Sequence, residues 1–200
     1  MTTNGCCRIV LTGGPGGGKT TAADLFRREL GEQVVVVPEA ATMLFAGGFP
    51  RYEESHAKRA VQATIFHLQK NLEDVQNAKF GDRILVCDRG TVDGAAYWPG
   101  PQDEFFAEMG TTLEEQFKRY DAVIYFESAA AGHDSIEGGN RYRKENLDEA
   151  VALDKKLRAI WSQHPNFNFI GHDPSFFRKI TNGINVISTI ADQIKTKNGV

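Results

Sequence analysis

The strongest chemical signal in the sequence is a run of eight residues near its start. The run reads Gly13-Gly14-Pro15-Gly16-Gly17-Gly18-Lys19-Thr20 and matches the pattern GxxxxGK[ST]. Glycines suit such a loop because successive backbone N–H groups must turn inward around phosphate oxygens, closer than a Cβ atom would permit. Lys19 can reach the β- and γ-phosphates, and the Thr20 hydroxyl can bind Mg²⁺. The pattern predicts a binding site for ATP or a related triphosphate with Mg²⁺. We predict that Thr21 is also part of this binding site.

Acidic residues follow three other apolar runs, where the strands of a parallel sheet would end. Glu39 comes after VVVVP, Asp88 directly after ILVC and Glu127 directly after AVIYF. Ligands of open parallel sheets bind beyond the carboxyl ends of the strands, so chemistry is expected at these positions. We interpret Glu127 as structural, which leaves Glu39 and Asp88 as candidate catalytic acids.

Asp88 has the form of a strand-ending carboxylate that holds Mg²⁺ directly or through water. The adjacent Arg89 can face a phosphate group. The alternative is that Asp88 only caps the following turn or pairs with Arg89, because Asp is common in turns. Asp93 is a weaker candidate and is also interpretable as a helix cap.

Glu39 is a candidate general base, because a carboxylate at this position can take the proton of an attacking hydroxyl group. It can equally help to organise the shell around magnesium, and the sequence leaves these two roles open. A third interpretation is a glutamate in the first turn of a helix, stabilised by the helix dipole.

Aromatic residues flank both acids and could wall a pocket for an acceptor that carries a ring. They are Phe45, Phe49, Tyr52, Tyr97 and Trp98. Ordinary core packing is the alternative interpretation of the same residues.

A stretch from about residue 128 to 146 is predicted to form a small lid. Its first part is rich in alanine and glycine, and its second part carries Arg141 and Arg143. Guanidinium groups closing over the triphosphate would neutralise charge on the transferring phosphoryl group and exclude water. A solvated basic turn before the next helix is the alternative.

These residues lie among short apolar runs that alternate with amphipathic stretches. The alternation predicts an α/β fold in which helices cover a parallel sheet. We predict five strands, at Arg8 to Thr12, Gln33 to Val37, Ile84 to Cys87, Ala122 to Phe126 and Phe167 to Ile170.

Five helices are indicated by their end signals or apolar spacing, and the fourth of them is an amphipathic helix that follows Arg143 and ends near Trp161. The first runs from Lys19 to Leu30 and stops at Gly31. The second, from about Ser55 to Asn77, is predicted to bury Val61, Ile65, Leu68, Leu72 and Val75. A capping box at Thr112 to Glu115 opens the third, and Asp173 with Pro174 opens the last.

The whole chain limits the classes of function. Its 200 residues favour one domain over 1–200, and its formal net charge of −3 makes nucleic acid a less expected partner. No apolar run approaches the length of a membrane span and no signal peptide is visible, so we expect a cytoplasmic protein without a membrane partner. Cysteines and histidines show no metal spacing. The oligomeric state stays open.

Four blocks of sequence resemble P-loop kinases related to nucleoside and nucleoside-monophosphate kinases. Within that group they resemble the AAA-domain family that is similar to the ribosylnicotinamide-kinase module. The blocks are TGGPGGGKTT, VVPEAA, CDRGTVDGAAYWP and NRYRKENLDEAVALDKKLRAIWSQHP. The resemblance implies a three-layer P-loop NTPase fold with a five-stranded parallel sheet in the order 2-3-1-4-5. It also implies ATP with Mg²⁺, a lid carrying Arg141 and Arg143, and Glu39 as general base beside the Asp88-Arg89 pair.

The main hypothesis is an ATP- and Mg²⁺-dependent phosphotransferase. Lys19 and the loop amides would hold the triphosphate, Thr20 and Asp88 the metal, and Glu39 would activate the hydroxyl of a small, nucleoside-like acceptor. The alternative is an ATP-hydrolysing switch whose output is a conformational change. Phosphorylation of nucleic-acid ends is a third, less favoured option.

Overall fold

Five short and almost wholly apolar strands form the centre of the molecule. The structure is a computed structural model, which describes residues 7–132 and 147–198. They are β1 Arg8–Thr12, β2 Val34–Val37, β3 Ile84–Asp88, β4 Ala122–Phe126 and β5 Phe167–Ile170. All pair in parallel, in the order β2-β3-β1-β4-β5, with Val10 opposite both Cys87 and Val123. The predicted α/β fold and the implied strand order are confirmed. Gln33 belongs to a 3-10 turn before β2 rather than to the strand.

Helices connect the strands and cover both faces of the sheet. Along the described residues they are α1 Lys19–Leu30, α2 Ala40–Ala46, α3 Ser55–Lys79, α4 Gly94–Tyr97, α5 Gln102–Glu108, α6 Leu113–Phe117, α7 Leu147–Trp161 and α8 Phe176–Asn198. Helices α1 and α8 pack on one face, and α3 to α7 pack on the other. Because strand side chains alternate between the faces, each face has its own buried core.

The ends of the helices largely follow the sequence signals. Thr112 and Glu115 form the reciprocal capping box that was predicted for α6. Helix α1 ends at Gly31 as expected. Helix α8 begins at Phe176 rather than at Pro174, because the Asp173 carboxylate accepts a hydrogen bond from the Ser175 N–H in a turn before the helix.

The buried face of α3 differs from the predicted apolar stripe. Val75 is 66 % exposed, whereas Phe66, Gln69 and Glu73 are buried together with Val61. The helix is rotated so that two polar side chains face the interior, where both find hydrogen-bond partners. Apolar periodicity alone could not predict this, because it assumes that only apolar side chains are buried.

No helix in the part of the chain that the structure describes is both long and apolar enough to cross a lipid bilayer.

Candidate functional site

The glycine-rich loop lies between the end of β1 and the start of α1, at the carboxyl edge of the sheet. Gly13 has a φ of 131°, and a Cβ atom there would lie 1.9 Å from the carbonyl oxygen of Phe126. Gly18, directly before α1, has a φ of 89°, in the left-handed region that side chains disfavour. Glycine is therefore required at both ends of the loop, by backbone conformation and, at Gly13, by lack of space.

A carboxylate from α7 holds the backbone of this loop. Asp154 Oδ1 accepts hydrogen bonds from the N–H of Gly14 at 2.8 Å and from the N–H of Ser128 at 2.9 Å. The Ser128 hydroxyl in turn donates to the carbonyl oxygen of Pro15 at 2.6 Å. Since all three groups are buried, these bonds tie the phosphate loop to α7 and to the segment that follows β4.

Lys19 and Thr20 begin α1 and lie at the mouth of the loop. The Lys19 ammonium group is buried and donates to the carbonyl oxygen of Gly14 at 2.7 Å. The Thr20 hydroxyl donates to Asp88 Oδ2 at 2.7 Å, which brings together the two residues predicted to hold a metal. Thr21, in the first turn of α1, is exposed.

Asp88 is the last residue of β3. One of its carboxylate oxygens accepts the hydrogen bond from Thr20, and the other has no partner among the described residues. Its side chain is buried, and Oδ1 has no hydrogen-bond donor among the described residues. Burial raises the pKa of Asp88 above its usual value, and the nearby charge of Glu39 raises it further. A cation at Oδ1 would satisfy the free oxygen and oppose both effects, so the site fits Mg²⁺.

Protein side chains alone do not form a metal centre here. Within residues 7–132 and 147–198 there is no group of three or more His, Cys, Asp or Glu side chains that could hold a metal ion. Mg²⁺ commonly binds through one or two protein oxygens together with nucleotide phosphates and water, which is the arrangement that Thr20 and Asp88 suit.

Arg89 connects the phosphate loop to Glu39. Its Nη1 donates to the Gly13 carbonyl oxygen and to Asp93 Oδ2, both at 2.9 Å, and its Nε donates to Glu39 Oε1 at 3.2 Å. Burial disfavours the charge of Arg89, but interactions with Tyr97, Asp93 and Glu39 keep its pKa well above the ordinary value. Arg89 is therefore a fixed cation between the loop and Glu39.

The backbone of Arg89 is in an unusual conformation. Its φ of 78° lies in the left-handed region, where Arg89 is alone among the non-glycine residues of the described chain. Such a conformation costs about 1 to 3 kcal/mol and persists only where the surroundings enforce it. The Arg89 N–H donates to the carbonyl oxygen of Leu11 at 3.0 Å, and its side chain has the three partners above.

Glu39 lies at the start of α2 and faces a cavity of about 240 Å³. Its Oε2 accepts a hydrogen bond from the Thr42 hydroxyl, so both carboxylate oxygens have partners. The cavity lies between α2, α3 and the segment after β3, and Arg89 and Asp93 also line it. The second candidate acid therefore faces a space that a small molecule can enter.

The aromatic residues expected around an acceptor divide into two groups. Phe45, Tyr52 and Tyr97 line the cavity. Phe49 lies instead in a separate surface depression beside Leu68, and Trp98 is buried in the core against Phe105. The expectation of an aromatic wall is wrong for Phe49 and Trp98, because the first is outside the cavity and the second packs below its surface.

Asp93 occupies the N-cap position of α4, but its side chain makes no capping bond and is instead a buried junction. Its Oδ1 accepts hydrogen bonds from the Thr12 hydroxyl at 2.8 Å and from the Trp161 indole N–H at 2.6 Å, while Oδ2 accepts from Arg89. Thr12, Asp154 and Trp161 were not identified as site residues from the sequence. A signal for Asp154 exists, because it is an acid within the apolar face formed by Leu153 and Leu157.

Two further expectations concern residues near the lid. Arg141 and Arg143 lie outside the described residues, as does most of the segment 128–146.

Glu127, interpreted as structural, accepts a hydrogen bond from the His172 N–H at 2.7 Å and pairs with Arg158 at 3.6 Å.

The chain matches a known protein family. Residues 8–172 match the model of a family described as AAA domain, a range that contains all five strands and every site residue discussed above. A search of curated proteins found no match.

Proposed function

The chain belongs to the AAA-domain family of P-loop nucleotide-binding proteins, and from this we propose that it is an ATP- and Mg²⁺-dependent phosphotransferase with a small acceptor. One observation carries the proposal. Arg89 bonds to the phosphate loop at Gly13 and to Glu39, and Glu39 faces the cavity of about 240 Å³. A carboxylate in this position serves an acceptor, whereas hydrolysis by water alone requires no such cavity.

The donor half of the site would bind the triphosphate. The backbone N–H groups of residues 16 to 20 and the Lys19 ammonium group would hold the phosphates, and the positive end of α1 adds to their attraction. Thr20 and Asp88 would hold Mg²⁺, which neutralises phosphate charge when bound. The predicted lid arginines, Arg141 and Arg143, remain part of this proposal.

The acceptor half would activate a hydroxyl or phosphate oxygen. For a hydroxyl acceptor, its proton passes to Glu39 while its oxygen forms a bond to the γ-phosphorus. The bond from that phosphorus to the β,γ-bridging oxygen breaks, and its electron pair leaves with ADP. Arg89 would hold Glu39 in place and keep a positive charge beside the transferring group.

The cavity limits the size of the acceptor. Its volume of about 240 Å³ is just below the range of about 300–1,000 Å³ that is usual for small-molecule sites. Phe45, Tyr52 and Tyr97 offer aromatic surface for a ring. A nucleoside-like molecule fits these two features.

The test is to incubate the protein with Mg²⁺, ATP and a pool of nucleosides and small metabolites, measuring ADP release and new phosphorylated masses. We expect ADP release to rise sharply with one acceptor and to disappear in Lys19→Ala. ADP release that is the same with every addition would favour the ATP-hydrolysing switch instead. Stimulation by an oligonucleotide with a free 5′-hydroxyl would instead indicate a nucleic-acid acceptor.

A further inference from the structure

Gln69, in the middle of α3, is a buried polar side chain with all its hydrogen-bonding atoms in use. It is 2 % exposed. Its Oε1 accepts from the N–H of Ala40 at 3.3 Å, and its Nε2 donates to the carbonyl oxygen of Arg89 at 3.1 Å and to Glu73 Oε1 at 3.2 Å. A buried amide is costly unless it is bonded in this way, so these contacts determine its placement.

Two of the three bonds go to the backbone that carries the proposed acceptor-side groups. Ala40 directly follows Glu39 and begins α2, and Arg89 is itself the partner of Glu39. The second bond is to the carbonyl oxygen of Arg89, and Arg89 is the one non-glycine residue of the described chain that has a left-handed backbone. One amide thus bridges the two segments whose side chains form the Glu39–Arg89 ion pair.

Glu73 determines which way the Gln69 amide points. Its side chain is fully buried, and Oε1 also accepts from the Tyr120 hydroxyl at 2.8 Å, while Oε2 accepts from Arg119 at 2.8 Å. Turning the Gln69 amide over would place its oxygen against the Glu73 carboxylate and the Arg89 carbonyl oxygen. Only one orientation satisfies all the partners, so the amide holds both segments in a defined relation.

We propose that Gln69 is a positioning residue for phosphoryl transfer, which sets the geometry of Glu39 and Arg89 relative to each other. This rests on the proposed function, since it concerns the groups assigned there to the acceptor. Gln69 also lines the cavity, but both atoms of its amide are already bonded, so it acts through the backbone at Ala40 and Arg89 and takes no part in the transfer itself. A displacement of about 1 Å in such groups lowers turnover about 100-fold.

The test compares Gln69→Met, which keeps the length of the side chain and removes its hydrogen bonds, with Gln76→Met on the same helix. Turnover is measured with Mg·ATP and the acceptor pool described above. We expect Gln69→Met to lower the kcat of acceptor-dependent ADP release about 100-fold and to leave the KM for ATP within about twofold. Gln76→Met should match the parent protein.

Gln69→Glu supplies a second readout, in which turnover is expressed per folded molecule at each pH, because protonation of a buried carboxylate also raises the folded fraction. An ionised carboxylate has no donor for Arg89 and is repelled by Glu73, whereas a protonated carboxyl group again offers one donor and one acceptor. The ratio of variant to parent turnover should therefore rise as the pH is lowered. If Gln69→Met fails to fold, the pH dependence of this ratio tests the positioning role of Gln69.

The two possible failures are distinguishable. Acceptor-dependent turnover in the parent protein, with an unchanged kcat in Gln69→Met or a pH-independent ratio for Gln69→Glu, would overturn the role of Gln69 alone. Absence of acceptor-dependent turnover in the parent protein would overturn the proposed function and this role with it.

Discussion

Glu39 and Asp88 follow neighbouring strands but have different surroundings. Glu39 has Arg89 and Thr42 as donors and faces the cavity, whereas Asp88 has the Thr20 hydroxyl at one oxygen and, among the described residues, no donor at the other. The residue nearer the phosphate loop thus suits a metal, and the residue at the cavity suits a proton acceptor. On this reasoning we propose Glu39, rather than Asp88, as the base.

Replacing Glu39 tests this assignment. Glu39→Gln keeps the size of the side chain and an oxygen for Arg89, but it cannot take a proton at neutral pH. We expect acceptor-dependent turnover to fall by about 100-fold or more, with ATP affinity unchanged. Glu32→Gln, an exposed position after α1, serves as the matched control. Full turnover in Glu39→Gln would exclude Glu39 as the base.

Tyr125 in β4 makes stability sensitive to high pH. Burial, followed by the charge of Asp154, raises the pKa of this hydroxyl well above its ordinary value of 10.0. The unfolded chain then loses its proton before the folded chain does, so stability should fall as the pH rises above 10.

The measurement compares urea unfolding of the parent, Tyr125→Phe and Tyr52→Phe between neutral and alkaline pH. One group contributes at most about 1.4 kcal/mol per pH unit. Above pH 10 the parent should lose stability more steeply than Tyr125→Phe by up to that amount. Tyr52→Phe should behave as the parent does, because Tyr52 is exposed. Equal slopes for the parent and Tyr125→Phe would contradict the expectation.

At the scale of the elements, α7 contacts both halves of the candidate site. Asp154 on α7 binds the phosphate loop, and Trp161, about two helical turns later, binds Asp93. The apolar residues Leu157 and Ile160 of the same helix pack into the core on the α3 side of the sheet. The helix therefore places polar contacts at both halves of the candidate site from a single rigid element.

Removal of the Asp154 carboxylate tests the contact with the loop. Asp154→Ala leaves the N–H groups of Gly14 and Ser128 without their buried acceptor, which should lower the free energy of unfolding by about 2 to 4 kcal/mol. ATP affinity should also fall about tenfold, since the loop is no longer held in shape. Urea unfolding and ATP titration measure the two effects. Asp148→Ala, at an exposed position of α7, should change neither.

The elements also show where sequence reasoning succeeds. Strands such as ILVC and AVIYF are continuous apolar runs because helices cover both of their faces, and this pattern identifies them directly. Helix α3 is the counterexample, because its buried Gln69 and Glu73 depend on partners distant in sequence, Arg89 and Tyr120. A periodicity within one segment carries no information about such partners.

At the scale of the whole molecule, the parallel sheet brings the site together at one edge. The phosphate loop, Glu39 and Asp88 follow β1, β2 and β3, which are neighbours in the sheet. Their proximity was predictable from strand ends alone. The contributions of Asp154, Trp161 and Gln69 were not, because helix side chains reach the site only after the helices pack. The left-handed backbone of Arg89 was not predictable either, because only glycine marks such a conformation in a sequence.

The two contacts of α7 have a thermodynamic consequence. Because the helix binds the phosphate loop through Asp154 and the Asp93–Arg89 pair through Trp161, occupation of either half of the site should change the free energy of ligand binding at the other. Such coupling is reciprocal by necessity. If ATP tightens the binding of an acceptor by some factor, the acceptor tightens the binding of ATP by the same factor, typically about 5- to 150-fold.

Calorimetric titration of a non-hydrolysable ATP analogue and of the identified acceptor, each with and without the other, measures both factors. We expect them to be equal and greater than one, and to approach one in Trp161→Phe, which lacks the indole N–H. If Trp161→Phe left the coupling unchanged, α7 would not be its route. In that event the two halves would be linked through contacts that bypass α7, such as those of Arg89 with Gly13 and of Thr12 with Asp93.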